Sequence, residues 1–283
     1  MVLLLAEEKL LILEKALWNY LPAAIKTYGT ILNINKGKIH DLEVIVDSWP
    51  GFSTVICRPC KKEEICNPDE STLAVFSKDE SSLHNLLMDD NVVSWTTCFM
   101  FGGIDVSLLE LVKDVAACKK FTLSIASNSC AMILEDPKDL LDIAPERADV
   151  TSRISHLDLS HAQTVNRNWK FGGDDKSLRF VRGIIANFPS YCILDETDNP
   201  VSWLLNYSYG AMGLLYTLPE HRSKGYAKLL VTNMVKTLQN LGYPIYCFIE
   251  DENSKSYQLF EKLGFKEAPG IRFAWPWCRP FER

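Results

Sequence analysis

In the second half of the chain, apolar residues recur at the spacings of strands and helices that share a buried core. A short apolar run at 212–216, bounded by a glycine and a proline, predicts a buried strand. After Gly225, apolar residues lie three and four positions apart as far as Leu241, which predicts a helix with one buried face. A short loop joins the two predicted elements.

Further elements precede this strand. Residues 155–162 predict a strand and the start of a helix, and residues 176–188 predict a helix with apolar residues on one side and basic residues on the other. Two short apolar runs, at 191–194 and 201–205, predict strands. The predicted order is strand, helix, helix, three strands, loop, helix, strand, helix, strand.

The first half of the chain also mixes the two periodicities. The predicted elements are a helix at 10–21 ended by Pro22, a hairpin at 41–60, a strand-like run at 91–103, a helix at 106–117, and strands at 121–126 and 130–134. Residues 136–151 carry two prolines, several charges and little periodicity, which predicts a linker. The sequence therefore predicts two α+β domains, at 1–145 and 146–283.

The loop after the strand at 212–216 carries the clearest chemical signal. It reads Arg222-Ser-Lys-Gly-Tyr-Ala227 and opens directly into the predicted helix. Such a loop directs backbone N–H groups and the positive end of a helix dipole at one point, where Arg222 and Lys224 add charge. The pattern predicts a phosphate-binding site.

The same residues carry a family resemblance. Arg222-x-x-Gly225-x-Ala227 resembles the pyrophosphate loop of the GCN5-related N-acetyltransferase superfamily, and Asn253-x-x-Ser256 is similar to the start of its later helix. The resemblance implies that the loop amides hold the pyrophosphate of coenzyme A while the preceding strand pairs with the pantetheine arm. The residues that it implies for binding are Leu215, Thr217, Leu218, Arg222, Ser223, Lys224, Gly225, Tyr226, Ala227, Asn253, Ser256 and Phe260.

A narrower resemblance extends over nearly the whole chain. Segments 33–37, 47–52, 199–203 and 216–222 are similar to the glycine N-acyltransferase family, above all to its glycine N-acyltransferase-like members. This implies tandem α+β domains, each a mixed, mostly antiparallel sheet flanked by helices, with the coenzyme A loop in the C-terminal domain alone. It also implies transfer of a fatty or aromatic acyl group from acyl-CoA, a co-substrate, to glycine, with glutamine as an alternative acceptor and no bound cofactor.

Two positions depart from the family pattern. Ala211 aligns with a glutamate that serves the family as general base, and Phe260 aligns with the tyrosine acid of the superfamily. Loss of a general base costs roughly 10²- to 10⁴-fold in rate. The catalytic residues are therefore not assigned, and an acyl-CoA-binding protein with little turnover is an alternative, as is an acetyltransferase acting on protein amines.

Other residues are candidates for the missing roles. Substitutes for the base are Tyr209, Glu250 and Asp251, whereas His221, beside the phosphate loop, is interpreted as a loop residue. Because the acceptor carboxylate needs a cation or N–H donors, several arginines are candidates to bind it: Arg167, Arg179, Arg182 and Arg272. The sequence does not choose among them.

Composition narrows the function classes. The chain has 283 residues, a formal charge of −6 and a pI near 5.5. Because affinity for a phosphate backbone depends on clustered Lys and Arg, this balance argues against nucleic-acid binding. No apolar run approaches the roughly 18 residues of a membrane span, so no transmembrane segment is expected.

Cysteine usage indicates a reducing compartment. Nine cysteines are scattered without a disulfide framework, so we expect an intracellular protein with free thiols. Cys57 and Cys60 lie near Cys66, but no second Cys or His pair completes a zinc site, and no metal is expected. The family resemblance implies mitochondria, with cytosol or the endoplasmic reticulum surface as alternatives, although the first residues form no clear presequence. We expect a monomer.

Overall fold

Strand pairing places the C-terminal residues of the chain in the same unit as its N-terminal half. The computed structural model describes residues 3–60, 72–141 and 153–281. Packing contacts divide the chain into one unit of residues 1–131, 250–252 and 268–283, and a second of residues 132–249 and 253–267. The predicted domain boundary between residues 145 and 146, like most of the predicted linker, lies outside the described residues.

The helices of the first unit flank one sheet. They are α1 (Glu7–Trp18), α2 (Ile25–Asn35), α3 (Glu80–Met88) and α4 (Leu109–Cys118). The strands are β1 (Leu3–Leu4), β2 (Leu42–Val46), β3 (Thr54–Pro59), β4 (Thr72–Ser77), β5 (Phe99–Phe101), β6 (Ile104–Asp105), β7 (Phe121–Ile133) and the last strand of the chain, β14 (Phe273–Pro280). Their order is β1-β2-β3-β4-β5-β14-β7, with β6 also paired to β14. The pairs are antiparallel except β4 and β5.

Several predictions for this unit are confirmed and others are wrong. The hairpin at 41–60 and the helix at 106–117 are confirmed by β2, β3 and α4. The two strands predicted at 121–126 and 130–134 are one strand, β7, because Asn128 and Ser129 pair with β14 despite their polarity. The sequence pattern did not indicate α2, because this helix is buried on almost every side and lacks a polar stripe.

The second unit follows the predicted order of elements. Its helices are α5 (Ala162–Arg167), α6 (Asp175–Asn187), α7 (Tyr226–Asn240) and α8 (Ser254–Lys262). Its strands are β8 (Ile154–Ser155), β9 (Ser190–Leu194), β10 (Pro200–Asn206), β11 (Met212–Thr217), β12 (Tyr246–Glu250) and β13 (Lys266–Glu267). The order β12-β11-β10-β9-β8 is antiparallel except for the parallel pair of β11 and β12.

The core of the second unit forms where α5 and α6 pack on the sheet. Trp203 of β10 is only 1% exposed and lies in one cluster with apolar residues of both helices, among them Val165 and Val181. Burial of such side chains contributes roughly 1.5–3 kcal/mol each. The predicted α+β class, with a mixed, mostly antiparallel sheet flanked by helices, is confirmed.

A buried lysine lies in the core of the first unit. Lys26 of α2 is 5% exposed, and a Cβ placed on Gly102 would lie 1.9 Å from its Nζ atom. Only glycine therefore fits at position 102 while the lysine keeps this position. Burial lowers the pKa of Lys26 to about 7, although the nearby Cys57 thiol opposes the change.

This pKa predicts a pH-dependent stability. Between the folded value of about 7 and the ordinary value of 10.5, the unfolded chain binds more protons at Lys26, so stability rises with pH across this window. We expect this residue to contribute about 3 kcal/mol to the rise between pH 7 and about pH 9.5. Urea unfolding of Lys26→Met at the two pH values should show that much less pH dependence than the wild type. The exposed Lys113→Met is the control, and an unchanged slope for Lys26→Met would contradict the assignment.

Candidate functional site

A bulge interrupts the pairing of β11 with β10. Trp203 lies opposite Tyr216, and Leu205 lies opposite Gly213, so one residue of β10 faces two residues of β11, Leu214 and Leu215. Leu214 has a φ of +52°, a left-handed conformation that is uncommon for a residue with a side chain. A bulge of this kind bends a strand and leaves its extra residue outside the ladder.

On the side opposite β10, the pairing of β11 with β12 ends early. Met212 pairs in parallel with Cys247 of β12, near the start of both strands, and in the described residues no further register pair follows. The residues from Gly213 to Leu218 are half-buried, whereas β10 is buried throughout. The divergence exposes a strand edge, along which an extended chain bearing amides can form hydrogen bonds.

The loop after β11 directs the first amides of α7 outward. Ser223 and Gly225 both have left-handed φ values, +61° and +79°, and Gly225 immediately precedes the helix. Because the N-cap residue is a glycine, it has no side-chain oxygen to accept hydrogen bonds from the first N–H groups of the helix. The helix has 15 residues, and its dipole places partial positive charge at this point. The loop and helix form an anion-binding geometry.

The two charged residues of the loop, Arg222 and Lys224, lie in different surroundings. Arg222 folds back along the end of β11, where its Nε donates to the Thr217 carbonyl at 3.1 Å and its guanidinium carbon lies 5.6 Å from the Tyr216 ring centre. Lys224 is exposed in the loop itself. The Thr217 hydroxyl lies 2.8 Å from that of Ser202, so this predicted ligand turns its side chain toward β10.

Arg153 was not predicted as a site residue. Its Nη2 donates to the Tyr226 hydroxyl at 2.9 Å, in the first turn of α7. Arg153 therefore places a cation at the end of the Tyr226 side chain, whose backbone lies in the candidate anion-binding segment. It lies 73 positions from Tyr226 in the sequence, and no local pattern indicates the contact.

The predicted residues of α8 have structural roles. The Asn253 side chain caps this helix by accepting a hydrogen bond from the Ser256 N–H at 3.1 Å. Phe260 is 4% exposed, and its ring packs edge-on against Phe265 with 5.0 Å between ring centres. The structure thus places Phe260 in the core rather than at a surface open to a ligand.

Ala211, at the position of the missing base, is fully buried just before β11. Its carbonyl accepts from the Tyr207 N–H at 2.8 Å and from the side-chain amide of buried Asn206 at 3.1 Å, in the amide orientation that satisfies both groups. These bonds hold the turn at 207–210 that leads into β11. The turn is fixed, but Ala211 supplies no proton acceptor.

The substitute bases are no better placed. Burial raises the pKa of Tyr209 well above its ordinary value, so its phenol stays protonated at neutral pH. The Tyr246 hydroxyl donates to the Tyr209 carbonyl at 2.6 Å, and burial raises the pKa of this phenol as well. The ring of His221 stacks at 6.5 Å from that of Tyr226, beside the loop. Glu250 is half-buried in β12.

In the first unit, a candidate base and a candidate carboxylate ligand neutralise each other. Arg272 Nη1 lies 3.0 Å from Asp251 Oδ1, and both side chains are about half exposed. Exposed pairs of this kind contribute roughly 0–1 kcal/mol. Arg167, Arg179 and Arg182 are exposed on α5 and α6.

A polar hollow in the first unit is unsuited to coenzyme A. Its volume is about 610 Å³, and three aspartates, Asp47, Asp79 and Asp89, contribute to its lining. Although burial acts in the opposite direction, hydrogen bonds from the backbone of Thr54 and Ser53 lower the pKa of Asp47, which therefore stays ionised. Like charge disfavours a ligand that carries phosphates.

The residues that the structure describes offer neither a metal centre nor a membrane-spanning helix. No group of three or more His, Cys, Asp or Glu side chains among them is arranged to hold a metal ion, and Cys66 lies outside this part of the chain. Within the same residues, no helix is both long and apolar enough to cross a bilayer.

Solved structures support the fold. A crystal structure of a Drosophila protein superimposes with a TM-score of 0.81 at 16% identity, covering 99% of each chain. A tandem GNAT protein from the clavulanic acid biosynthesis pathway matches with a TM-score of 0.56 at 12% identity, covering 100% of this chain and 99% of its own. The second likeness agrees with the predicted tandem architecture.

Sequence comparisons identify the family. Residues 1–189 match a family model described as aralkyl acyl-CoA:amino acid N-acyltransferase, and residues 192–274 match one described as FR47-like protein. Glycine N-acyltransferase of Bos taurus is 32% identical, over 99% of this chain and all of its own length. Glycine N-phenylacetyltransferase of Bos taurus is 31% identical, over 85% of this chain and 87% of its own. The chain therefore belongs to the glycine N-acyltransferase family of acyl-CoA:amino acid N-acyltransferases.

Proposed function

We propose that the protein transfers an acyl group from acyl-CoA to the amine of glycine, releasing free coenzyme A and an N-acylglycine. The observation that carries this proposal is the divergence of β11 from β12, followed by a loop that leads into a helix N-terminus whose N-cap residue is Gly225. Together they offer an edge for the amides of pantetheine and an anion site for the pyrophosphate. The relatives named glycine N-acyltransferase favour glycine as acceptor.

The donor lies along β11 in this proposal. Its pyrophosphate contacts the amides of residues 223–227, with Lys224 and Arg153 adding charge. Its pantetheine arm follows the half-buried strand edge at Leu215 to Leu218 toward the bulge. The thioester then lies near Leu214, where the bulge takes backbone out of the β10 ladder.

The reaction needs a neutral amine, N–H donors for the oxyanion and a proton for the leaving thiolate. The glycine nitrogen attacks the thioester carbonyl, a tetrahedral intermediate forms, and the carbon–sulfur bond breaks as the amide is made. The proton that the attacking nitrogen loses balances the one that the departing thiolate takes up. Backbone N–H groups at the bulge are the candidates to stabilise the oxyanion. Because Ala211 accepts no proton, the amine must lose its proton to water or buffer before it attacks.

A second candidate function is binding of acyl-CoA with little turnover. It is favoured by the residues at the positions where the general base and acid are expected. Ala211 and Phe260 are both buried, and the Tyr209 phenol stays protonated. None of these three residues supplies a base at neutral pH. Glutamine as acceptor, a mitochondrial location and a monomeric state stay predictions.

The donor site is tested by a matched pair of glycine substitutions. Gly225 precedes α7 with a φ of +79°, and Gly242 follows the same helix with a φ of +71°. A Cβ added at either position would meet no atom within 4 Å beyond the adjoining residues. Each change to alanine therefore brings a similar left-handed penalty, about 1–2 kcal/mol, without a clash. We expect Gly225→Ala to raise the KM for acyl-CoA about tenfold or more and Gly242→Ala to leave it unchanged.

The assay for both variants is thiol release from a panel of acyl-CoAs, with glycine and then glutamine as acceptor. Acceptor-dependent release by the wild type establishes the transferase and shows which acceptor it uses. Equal effects of the two glycine variants on KM would show that the loop does not bind the donor.

A carboxylate at position 211 tests whether the chain lacks its base. Ala211→Glu should raise turnover by roughly 10²- to 10⁴-fold while leaving the affinity for coenzyme A unchanged. Because this position is fully buried, the pKa of the new carboxyl is expected to lie above its ordinary value, and the gain should grow as pH rises through it. Ala211→Gln has the same shape without the base, so equal turnover in the two variants would refute the assignment.

A further inference from the structure

Aromatic rings of the second unit form a continuous series from the loop before α6 to the start of β11. Trp169 stacks on Phe180 with 5.4 Å between ring centres and 18° between planes. Phe180 lies 6.2 Å from Tyr207, which stacks on Tyr209 at 5.1 Å and 14°. We call these four residues the aromatic ladder.

The aromatic ladder contacts β11 at Gly213. A Cβ on Gly213 would lie 2.0 Å from Cε2 of Tyr207, so the tyrosine ring lies directly on the backbone of β11. Gly213 immediately precedes the bulge at Leu214 and Leu215. The ladder therefore begins on the side of the bulge that faces away from the phosphate loop, which follows the other end of β11.

The loop that carries Trp169 is held by a buried amide. Asn166 is 1% exposed, and its side chain donates to the Asp174 carbonyl at 3.2 Å and accepts from the Gly173 N–H at 3.4 Å. A Cβ on Gly172 would lie 2.0 Å from the Asn166 carbonyl oxygen, so the loop passes too close for any side chain at that position. The loop therefore holds Trp169 in a fixed position at one end of the ladder.

Phe180 is a ring of the aromatic ladder that is exposed and does not pack in the hydrophobic core. Phe180 lies on α6 but outside the face formed by the buried residues of that helix, and it is 42% exposed. Because much of this ring stays in water, the position gains only part of the stabilisation that full burial of a phenylalanine brings. An exposed aromatic residue continuous with a row of stacked rings has the character of a ligand surface.

We propose that the aromatic ladder binds the apolar tail of the acyl donor and so sets its preference for large acyl groups over acetyl. The inference rests on the proposed function, because it takes the thioester to lie at the bulge. With pantetheine running along β11 from the phosphate loop, an acyl group continues past Leu214 toward Gly213 and reaches Tyr207. An aromatic ring gains stacking as well as burial on such a surface, and a long alkyl chain gains burial alone.

The experiment compares Phe180→Ala with a control, Phe281→Ala, which removes a ring that is 48% exposed in the first unit. Calorimetry measures the affinities of coenzyme A, acetyl-CoA, a phenylacetyl-CoA and a long-chain acyl-CoA. We expect Phe180→Ala to weaken one or both large donors about tenfold while leaving coenzyme A and acetyl-CoA unchanged. Phe281→Ala should leave all four affinities unchanged.

The pattern of losses also identifies the tail. If Phe180→Ala loses affinity for phenylacetyl-CoA alone, the ladder binds an aromatic acyl group. If it loses affinity for the long-chain donor alone, the ladder binds an alkyl chain. Equal affinities of wild type and Phe180→Ala for both large donors would overturn the inference, as would equal weakening of all four ligands.

Binding and turnover separate the two proposals. If the wild type binds large donors through Phe180 but releases no thiol with any acceptor, the proposed reaction fails and the ladder stands. If thiol release depends on acceptor but Phe180→Ala keeps the wild-type donor preference, the reaction stands and the ladder fails. A second variant, Phe180→Ser, checks that the result follows from loss of the ring.

Discussion

The candidate site depends on the end of strand pairing between β11 and β12. Backbone N–H and C=O groups inside a sheet are normally used by neighbouring strands, and a protein interior tolerates few that are not. By pairing with β12 at Met212 and then diverging, β11 keeps its place in the sheet while its later residues stay half-buried at an edge. The bulge at Leu214 and the left-handed turn at Gly225 complete this arrangement by bending the strand and directing α7.

The chain has a candidate site for binding the donor but no assigned residue for proton transfer. The proposed anion site rests on the backbone geometry of the loop and the first turn of α7, which a side-chain substitution elsewhere does not remove. Proton transfer normally rests on single side chains, and here the position of the expected base holds a buried alanine. A fold of this kind can keep its affinity for a thioester donor while its catalytic rate changes by orders of magnitude.

Local sequence patterns predicted most of the second unit, because the hydrophobic periodicity of each helix and strand can be recognised within a few residues. The apolar run of β11, the periodicity of α7 and the glycine before it were sufficient to predict the loop. The bulge at Leu214 was not predictable, because the apolar run of β11 does not show where its register against β10 shifts. The contact of Arg153 with Tyr226 was not predictable, because the two residues lie 73 positions apart. In the first unit, α2 lacks the polar stripe that marks a surface helix, and β7 contains polar residues that sheet pairing overrides.

The close packing of Tyr207 on Gly213 has an evolutionary consequence. With 2.0 Å between that ring and any Cβ at position 213, the two residues cannot change size independently. A relative that bears a side chain at the position of Gly213 must carry a smaller residue, or a ring turned aside, at the position of Tyr207. Covariation of these two positions across the family would therefore record differences in the shape of the cleft beside β11.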